Sequence, residues 1–221
     1  MALDPDFSIL PAPQLRLWPE LAAIPSHFVL YGGTAIALRL GHRSSVDFDF
    51  FSSEGFDPFE LQRALGPVGS GTVLQAAPDV FTVTLDRGGE VKVSFFGGIE
   101  GRVGEPDLTK DGCVAVASPL DLMGFKLKVI LQRSDSKDYR DIAALLRSGV
   151  PLASGLGAAA ALFPPSFPIV ASAKALIYFD DIEDADLLTT ADRKLLIEAV
   201  ELLGERISAV PLVARSLATR V

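Results

Sequence analysis

Cysteine and histidine are nearly absent from this chain of 221 residues, which contains one cysteine and two histidines. A single thiol, Cys113, excludes a disulfide within the chain, and its apolar neighbours favour a structural role. His27 and His42 have no second ligand at the spacing of a zinc site, which argues against such a site. The chain is therefore neither a disulfide scaffold nor a zinc-binding domain, and one thiol is consistent with a reducing cytoplasm.

Positive charge is also scarce, since 20 Lys and Arg stand against 28 Asp and Glu, for a formal net charge of −8. Proteins that bind nucleic acids usually carry a basic patch, because phosphate contacts dominate their affinity. Part of the acidity is local, since residues 180–186 contain five acids in seven positions. Residues 119–146, in contrast, carry five basic and four acidic residues. The overall charge does not favour a polynucleotide substrate, and it does not exclude one.

Charge is missing altogether from residues 148–173, a stretch of 26 residues that is long enough to span a bilayer. Four prolines and three glycines within it would break such a helix repeatedly. We therefore expect two short buried helices around Pro164 and Pro165, and no membrane span. The first eight residues contain Asp4 and Asp6 without a basic or apolar signal region, so that no secretory signal is expected.

What the chain does have is 49% hydrophobic and 22% charged residues, the composition of a globular protein with a substantial core. Hydrophobic periodicity predicts strands at residues 27–31, 46–51, 72–76, 80–86, 90–96 and 113–117. It predicts helices at residues 15–24, 34–40, 58–65, 119–132, 136–147, 153–163, 168–179 and 191–213. The expected fold class is α/β (α+β), with a mixed β-sheet core over residues 1–117. A helical region over residues 118–221 is expected to pack on that core.

A glycine turn followed by two carboxylates is the most informative local pattern. Residues 28–30 predict a strand that leads into Gly32-Gly33-Thr34, and the strand predicted at 46–51 carries Asp47 and Asp49. Residues two apart in a strand project to the same face, and two carboxylates in an apolar setting are costly without a cation between them. Glycines before a helix allow close approach of a phosphate, which the helix N-terminus favours. The pattern indicates a site for magnesium and a triphosphate, against the alternative of an ordinary turn and strand.

A second polar pattern lies on the helices predicted after residue 118. Ser118 is expected to cap the first of them, which carries Lys126, and residues 134–136 predict a break and a new N-cap. On the second helix, Asp138 and Asp141 are three residues apart and share one face. The alternative is an exposed helix surface with local ion pairs.

In combination, the two patterns resemble the polymerase-β-like nucleotidyltransferase superfamily, and more closely its AbiEii/AbiGii-type branch, known as toxins of toxin–antitoxin pairs. The first motif is Gly-Gly-Thr followed by Arg-Ser-Ser-Val-Asp-Phe-Asp at residues 43–49. The second is Lys126, then Arg133, then Lys-Asp-Tyr-Arg-Asp-Ile at residues 137–142. Both motifs occur in the order expected for that branch.

The resemblance implies a magnesium-dependent nucleotidyltransferase that moves a nucleoside monophosphate from an NTP to an acceptor hydroxyl. The acceptor would be an RNA end, a protein or a small molecule, and an antitoxin protein is an expected partner. The alternative is a catalytically degenerate nucleotidyltransferase fold that binds a nucleotide or a protein.

The expected site residues fall into two groups. Asp47 and Asp49 would bind the metal and act in catalysis together with Lys126 and Asp138, the last as a base or as an orienting group. The expected nucleotide-binding residues are Gly32, Gly33, Thr34, Arg43, Ser45, Arg133, Lys137 and Asp141. If Lys126 and Asp138 are only partly buried, substituting them should change stability by no more than about 0.5 kcal/mol.

One position departs from the superfamily, whose transferases commonly place a third carboxylate on a later strand. The matching strand is the one predicted at 90–96, and the corresponding position holds Ser94. A hydroxyl is a poor substitute for an anionic ligand. Either Asp138 or Asp141 supplies the missing charge, or metal affinity is weak, or catalysis is lost.

Overall fold

The computed structural model describes residues 2–204, 207 and 209–219, and its described strands form one mixed sheet. The strands are β1 Val29–Tyr31, β2 Phe48–Phe51, β3 Thr72–Ala77, β4 Val80–Asp86, β5 Glu90–Phe96, β6 Asp107–Leu108 and β7 Ala115–Val116. Their order across the sheet is β3-β4-β5-β2-β1-β7-β6. Strand β2 is antiparallel to β1 and parallel to β5, and β7 is parallel to β1. The predicted mixed sheet is confirmed.

Eight α-helices are present among the described residues. They are α1 Ala12–Leu17, α2 Gly32–Leu40, α3 Pro58–Ala64, α4 Pro119–Val129, α5 Ser136–Arg147, α6 Leu152–Leu162, α7 Ile169–Leu176 and α8 Thr190–Glu201. Short 3-10 helices occur at Phe7–Ile9, Trp18–Ala23, Val68–Ser70 and Ala185–Leu187. The α/β fold class is therefore confirmed, whereas the division of the chain at residue 117 stays a prediction.

Aromatic side chains at alternate positions pack one face of the central strands. Phe50 and Phe95 are neighbours across the β2–β5 pair, and their rings stack with centroids 5.5 Å apart. Phe48 packs against Trp18 at 6.2 Å between ring centroids. Because side chains alternate along a strand, this apolar face leaves Asp49 and its neighbours on β5 projecting to the other side.

The caps of α4 and α5 place the second motif beside α2. Ser118 accepts the N–H of Asp121 at 3.1 Å, and Asp135 accepts the N–H of Lys137 at 3.1 Å. The predicted break at residues 134–136 is therefore confirmed, with α4 ending at Val129, three residues earlier than expected. Helices α2, α4 and α5 pack against one another, which brings the two motifs together.

Two predicted elements have different bounds in the structure. The helix expected at 15–24 is an α-helix from Ala12 to Leu17 followed by a 3-10 helix, at the point where Pro19 lacks an N–H to donate. The strand expected at 46–51 begins only at Phe48, so Asp47 precedes the strand and Val46 is half-exposed. The position of Asp47 is consequently set by the loop before β2 and not by the backbone hydrogen bonds of the sheet.

The helix expected at 191–213 is also wrong beyond Glu201, where α8 ends. Residues 205, 206 and 208 of that range lie outside the described residues. Val213 instead donates its N–H to the carbonyl of Arg102 at 2.8 Å, and Arg102 donates to that of Ala214 at 2.9 Å. Apolar residues at helical spacing suggested a helix, but the backbone of Val213 and Ala214 forms hydrogen bonds with Arg102, which is far away in the sequence.

The uncharged stretch forms the two short helices α6 and α7, as predicted, with Pro164 and Pro165 between them. Among the described residues, none of the helices has the length and apolar character needed to cross a membrane. Cys113 is half-buried, with its Sγ 3.0 Å from the carbonyl oxygen of Trp18. Burial, with help from the Asp111 charge, raises the pKa of the Cys113 thiol to about 11, so the thiol stays protonated near neutral pH.

Candidate active site

The glycine turn, Gly32-Gly33, joins β1 to α2 and lies directly beside β2, the strand that carries Asp49. Tyr31 is opposite Asp49 in the antiparallel β1–β2 pair. Gly32 follows with a φ of +74°, and a Cβ at this position would lie 2.8 Å from Asp49 Oδ2. Glycine is therefore required at position 32 both for the backbone conformation and for the close approach of the carboxylate.

Asp47 and Asp49 lie at the same edge of the sheet in different environments. Asp49 is in register with Ser94 of β5. Burial, reinforced by the Asp47 charge, raises the pKa of Asp49, although Lys92, Lys126 and the Ser94 hydroxyl act in the opposite direction. Asp47 is more open, and its Oδ2 lies 3.1 Å from Lys92 Nζ. The raised pKa of Asp49 marks a place where additional positive charge is favourable.

We expect Asp49→Asn to stabilise the ligand-free protein. Because the folded-state pKa of Asp49 is raised, the stability associated with its protonated form is lost as the pH rises through that pKa. Asparagine removes the charge at nearly constant shape, so the melting temperature should rise at pH 7. The gain should shrink below about pH 4, where the unfolded carboxyl is also protonated.

Thermal melts of both proteins at pH 7 and pH 3.5 test this expectation. Asp4→Asn is the matched control, because Asp4 is an exposed acid outside the cleft that pairs with Lys110. A lower melting temperature for Asp49→Asn than for the unmodified protein at pH 7 would contradict the burial argument.

Thr34 ties the first turn of α2 to the loop before β2. Its hydroxyl donates to the carbonyl of Asp47 and lies 2.8 Å from the hydroxyl of Ser45. Thr34 is buried, as is Ser45. The Thr34 hydroxyl thus holds the carboxylate loop, and the phosphate contact that we predicted for it would require it to leave these partners.

Asp138 on α5 is held between two cations. It accepts Lys126 Nζ at 2.6 Å and Arg133 Nε at 2.7 Å, and its side chain is fully buried. Lys126 is 6% exposed. Both residues are buried, so the condition under which we expected a small change in stability is not met, and the alternative of an exposed helix surface is wrong. With both carboxylate oxygens engaged, Asp138 is placed to orient Lys126.

Asp141, one turn further along α5, holds a second set of cations. Its Oδ2 lies 2.7 Å from Lys126 Nζ and 2.8 Å from Arg43 Nη2, and its Oδ1 lies 2.6 Å from Arg43 Nε. Nε2 of His42 is 2.7 Å from the same Oδ1. Asp141 therefore connects α4 and α5 with the loop between α2 and β2.

Mutual attraction keeps this cluster ionised despite its burial. Burial by itself would raise the pKa of Asp141, but the Lys126 charge and the contacts with His42 and Arg43 hold that pKa well below its usual range. Burial would likewise lower the pKa of Lys126, but the Asp141 and Asp138 carboxylates raise it. Lys126 is therefore a fixed positive charge at neutral pH.

Gly33 makes room for this arrangement. A Cβ at this position would collide with Arg43 Nη2 and would lie 3.3 Å from Asp141 Oδ2. Arg43 is fixed by its two bonds to Asp141, so it cannot move aside without breaking them. The second glycine of the turn therefore allows the arginine to lie against the start of α2.

A cleft of about 280 Å³ gathers most of the predicted site residues. Those lining it are Gly33, Arg43, Ser45, Asp47, Asp49, Lys126, Arg133 and Lys137. Gly32, Thr34, Asp138 and Asp141 support it from behind. A larger cavity of about 490 Å³ beside His27 contains none of the predicted residues.

Two further residues, Lys92 and His42, take part in the site without having been predicted as site residues. Lys92 lines the cleft and pairs with Asp47. Its spacing of two from Ser94 was the available signal, because residues two apart on a strand share a face. His42 was discussed only in connection with a zinc site, whereas in the structure it contacts Asp141.

Comparisons with known proteins agree with this geometry. The sequence model of a family described as nucleotidyl transferase AbiEii toxin, type IV toxin–antitoxin system, matches residues 17–165, which include every residue lining the cleft. An uncharacterized protein of Aquifex aeolicus is 33% identical over 126 residues. The aligned part covers 56% of this chain and 60% of that relative, so the chain spans less than two thirds of the relative's length.

Proposed function

Because the chain belongs to the AbiEii family of nucleotidyl transferase toxins of type IV toxin–antitoxin systems, we propose that it is a magnesium-dependent nucleotidyltransferase. It would transfer a nucleoside monophosphate from an NTP to an acceptor hydroxyl on RNA, a protein or a small molecule. The observation that carries this proposal is the single cleft in which Asp47, Asp49 and Lys126 meet.

The donor set in the cleft fits one magnesium ion. Asp47 and Asp49 would hold it, with the Ser94 hydroxyl beside Asp49. Magnesium at such sites is commonly bound through one or two carboxylates, with waters and substrate phosphates completing the shell. The raised pKa of Asp49, which comes from burial and from the neighbouring Asp47 charge, fits a place where a bound cation is favourable. When bound, the ion would supply positive charge against the nucleotide phosphates.

The other wall of the cleft supplies the protein's own positive charge. Lys126, Arg43 and Arg133 line it, and each is held by a carboxylate of α5. Nucleotidyl transfer depends mainly on positioning and charge neutralisation, with little covalent chemistry for the protein. Since these cations are already fixed, they can stabilise developing charge with little reorganisation.

In the proposed reaction the acceptor oxygen attacks the α-phosphorus of the NTP. The bond from the α-phosphorus to the bridging oxygen breaks, pyrophosphate leaves, and the hydroxyl proton is released to solvent. Lys126 would stabilise the charge that develops on the leaving pyrophosphate. Asp138 would orient Lys126 and would not serve as the base, since both of its oxygens already accept hydrogen bonds.

The expected partners follow from the family and from this chemistry. We propose that the chain acts as a toxin opposed by an antitoxin, in the cytoplasm where NTPs are available. Incubation with each labelled NTP, magnesium, and total RNA or lysate shows whether label is transferred and to which acceptor. Absence of transfer with every NTP, alongside retained NTP binding, would favour a degenerate fold, the alternative that Ser94 supports.

We expect the double variant Asp47→Asn with Asp49→Asn to lose metal-dependent NTP binding. The two carboxylates are the anionic groups that line the cleft, and asparagine offers no charge to a divalent ion. Calorimetry with magnesium and a non-hydrolysable NTP measures the loss. Asp180→Asn with Asp181→Asn is the matched control, because it makes the same charge change at exposed positions. Undiminished metal-dependent binding in the cleft variant would rule out this metal site.

A further inference from the structure

Strand β5 brings a lysine to the paired carboxylates, at the edge where a third acid would complete the site. In the parallel β2–β5 pair, Ser94 is opposite Asp49. Lys92 lies two residues earlier on the same face, with its Nζ 3.1 Å from Asp47 Oδ2. The Lys92 and Asp47 side chains are 41% and 40% exposed, so their ion pair forms the open rim of the cleft.

A second divalent cation would need a further anionic ligand beside Asp47 and Asp49. Two ions in such sites lie roughly 3.5–4 Å apart, and additional carboxylate is needed to offset their repulsion. Within residues 2–204, 207 and 209–219, no three His, Cys, Asp or Glu side chains are grouped so as to hold a metal.

The two acids of α5 do not supply the missing ligand. Both oxygens of Asp138 accept hydrogen bonds from Lys126 and Arg133. Both oxygens of Asp141 contact Arg43, and Lys126 also lies within ion-pair distance. Their negative charge is therefore already balanced by Lys126, Arg43 and Arg133.

From these contacts we infer that the cleft binds one divalent cation together with the NTP, and that the Lys92 ammonium takes the place of a second. This inference rests on the proposed function and specifies its metal requirement. The geometry agrees with it, because Lys92 offsets one unit of charge at Asp47, while Asp49 lies opposite the neutral Ser94 and is left for the divalent ion. Lys92 is then a catalytic residue, because its ammonium would contact the substrate oxygen atoms that lie beside Asp47.

Lysine suits this position for two physical reasons. An ammonium is a compact point charge with three donors on a flexible stem, so it can follow an oxygen whose charge grows during the reaction. It also needs no anionic ligands beyond Asp47, whereas a second divalent ion would have to share the Asp47 and Asp49 carboxylates with the first.

The number of divalent cations bound per chain tests the inference directly. Manganese binding is measured by equilibrium dialysis with the α,β-methylene analogue of each NTP, and a chamber without protein corrects for metal on free nucleotide. We expect one manganese per chain for the unmodified protein. Two would overturn the inference and leave the proposed transferase function standing, whereas none would overturn both.

A double variant and a matched control test whether Lys92 and Ser94 determine the number of manganese ions bound. Lys92→Ala with Ser94→Asp removes the ammonium and adds the third carboxylate, so we expect two manganese ions per chain. Lys110→Ala is the matched control, because Lys110 pairs with Asp4 outside the cleft, and it should still bind one. A cleft variant that folds and still binds one ion would overturn the assignment.

Ser94 is buried, so the double variant could fail to fold, and Lys92→Met provides a second route. Removing only the rim charge should leave thermal melting and the manganese count unchanged while slowing single-turnover transfer about 100- to 1,000-fold. Lys92→Arg, which keeps the charge, should recover part of that loss. Transfer by Lys92→Met at the unmodified rate would overturn the catalytic role.

Discussion

Lys126→Ala should slow single-turnover transfer about 100- to 1,000-fold, because it removes the fixed charge that stabilises the leaving pyrophosphate in the proposed reaction. NTP affinity should fall much less, since the metal and the backbone amides of the turn would still hold the phosphates. The variant should also lose about 3–5 kcal/mol in the free energy of unfolding, because it leaves Asp138 and Asp141 buried with one cation fewer.

Asp138→Asn should reduce transfer to a similar extent through a different contact. It weakens the bonds that orient Lys126 and Arg133, and it touches no part of the substrate in the proposed arrangement. Its effect should therefore appear mainly in the rate of transfer and not in the affinity for NTP.

Lys128→Ala is the matched control for Lys126→Ala, because Lys128 belongs to the same helix and lies over the ring of Phe163, away from the cleft. Transfer is measured at a temperature where melts show each variant to be folded, so that loss of stability and loss of chemistry are separated. If Lys126→Ala and Asp138→Asn both transfer at the unmodified rate, the second motif has no catalytic part.

Asp141→Ala should cause the largest loss of stability of any single change in the site. It removes the shared partner of Lys126, Arg43 and His42 and leaves two buried cations without their main counter-charge. Breaking a buried ion pair typically costs about 3–5 kcal/mol, a large part of the 5–15 kcal/mol that separates folded from unfolded domains. Urea unfolding at pH 7 measures the loss.

The dependence on pH makes this prediction specific to the ionised form of Asp141. Its folded-state pKa is depressed, so the stability that it contributes is present above the unfolded-state pKa of about 3.9 and is lost as the pH falls through the folded-state pKa. The difference between Asp141→Ala and the unmodified protein should thus be complete at pH 7 and shrink below about pH 4. Asp186→Asn, an exposed control, should show little difference at either pH. A difference that is equally large in acid would contradict the electrostatic explanation.

The buried cluster of Lys126, Asp138 and Asp141 is therefore expected to contribute both to the rate of transfer and to the stability of the fold. Asp138 and Asp141 are fully buried, and replacing such a network by apolar residues is often neutral or stabilising in other proteins. In this protein the network fixes Lys126, Arg43 and Arg133 against the cleft, so its proposed value lies in orientation of charge.

Local signals in the sequence determined much of the fold and the membership of the site. The caps at Ser118 and Asp135 marked the starts of α4 and α5, because a side chain that bonds a nearby N–H acts within a few residues. Alternation along the strands at 48–51 and 90–96 predicted which side chains share a face, and the order of the two motifs predicted the family.

Only the tertiary structure decided the partners and the environment of those residues. Asp141 and Arg43 are 98 residues apart in sequence, and no local pattern specifies that they meet. The burial of Lys126 and Asp138 and the ion pair between Lys92 and Asp47 likewise depend on how α4, α5 and β5 pack. Caps and alternation depend on a few neighbouring residues, whereas burial and the pairing of charges depend on which distant segments the fold brings into contact.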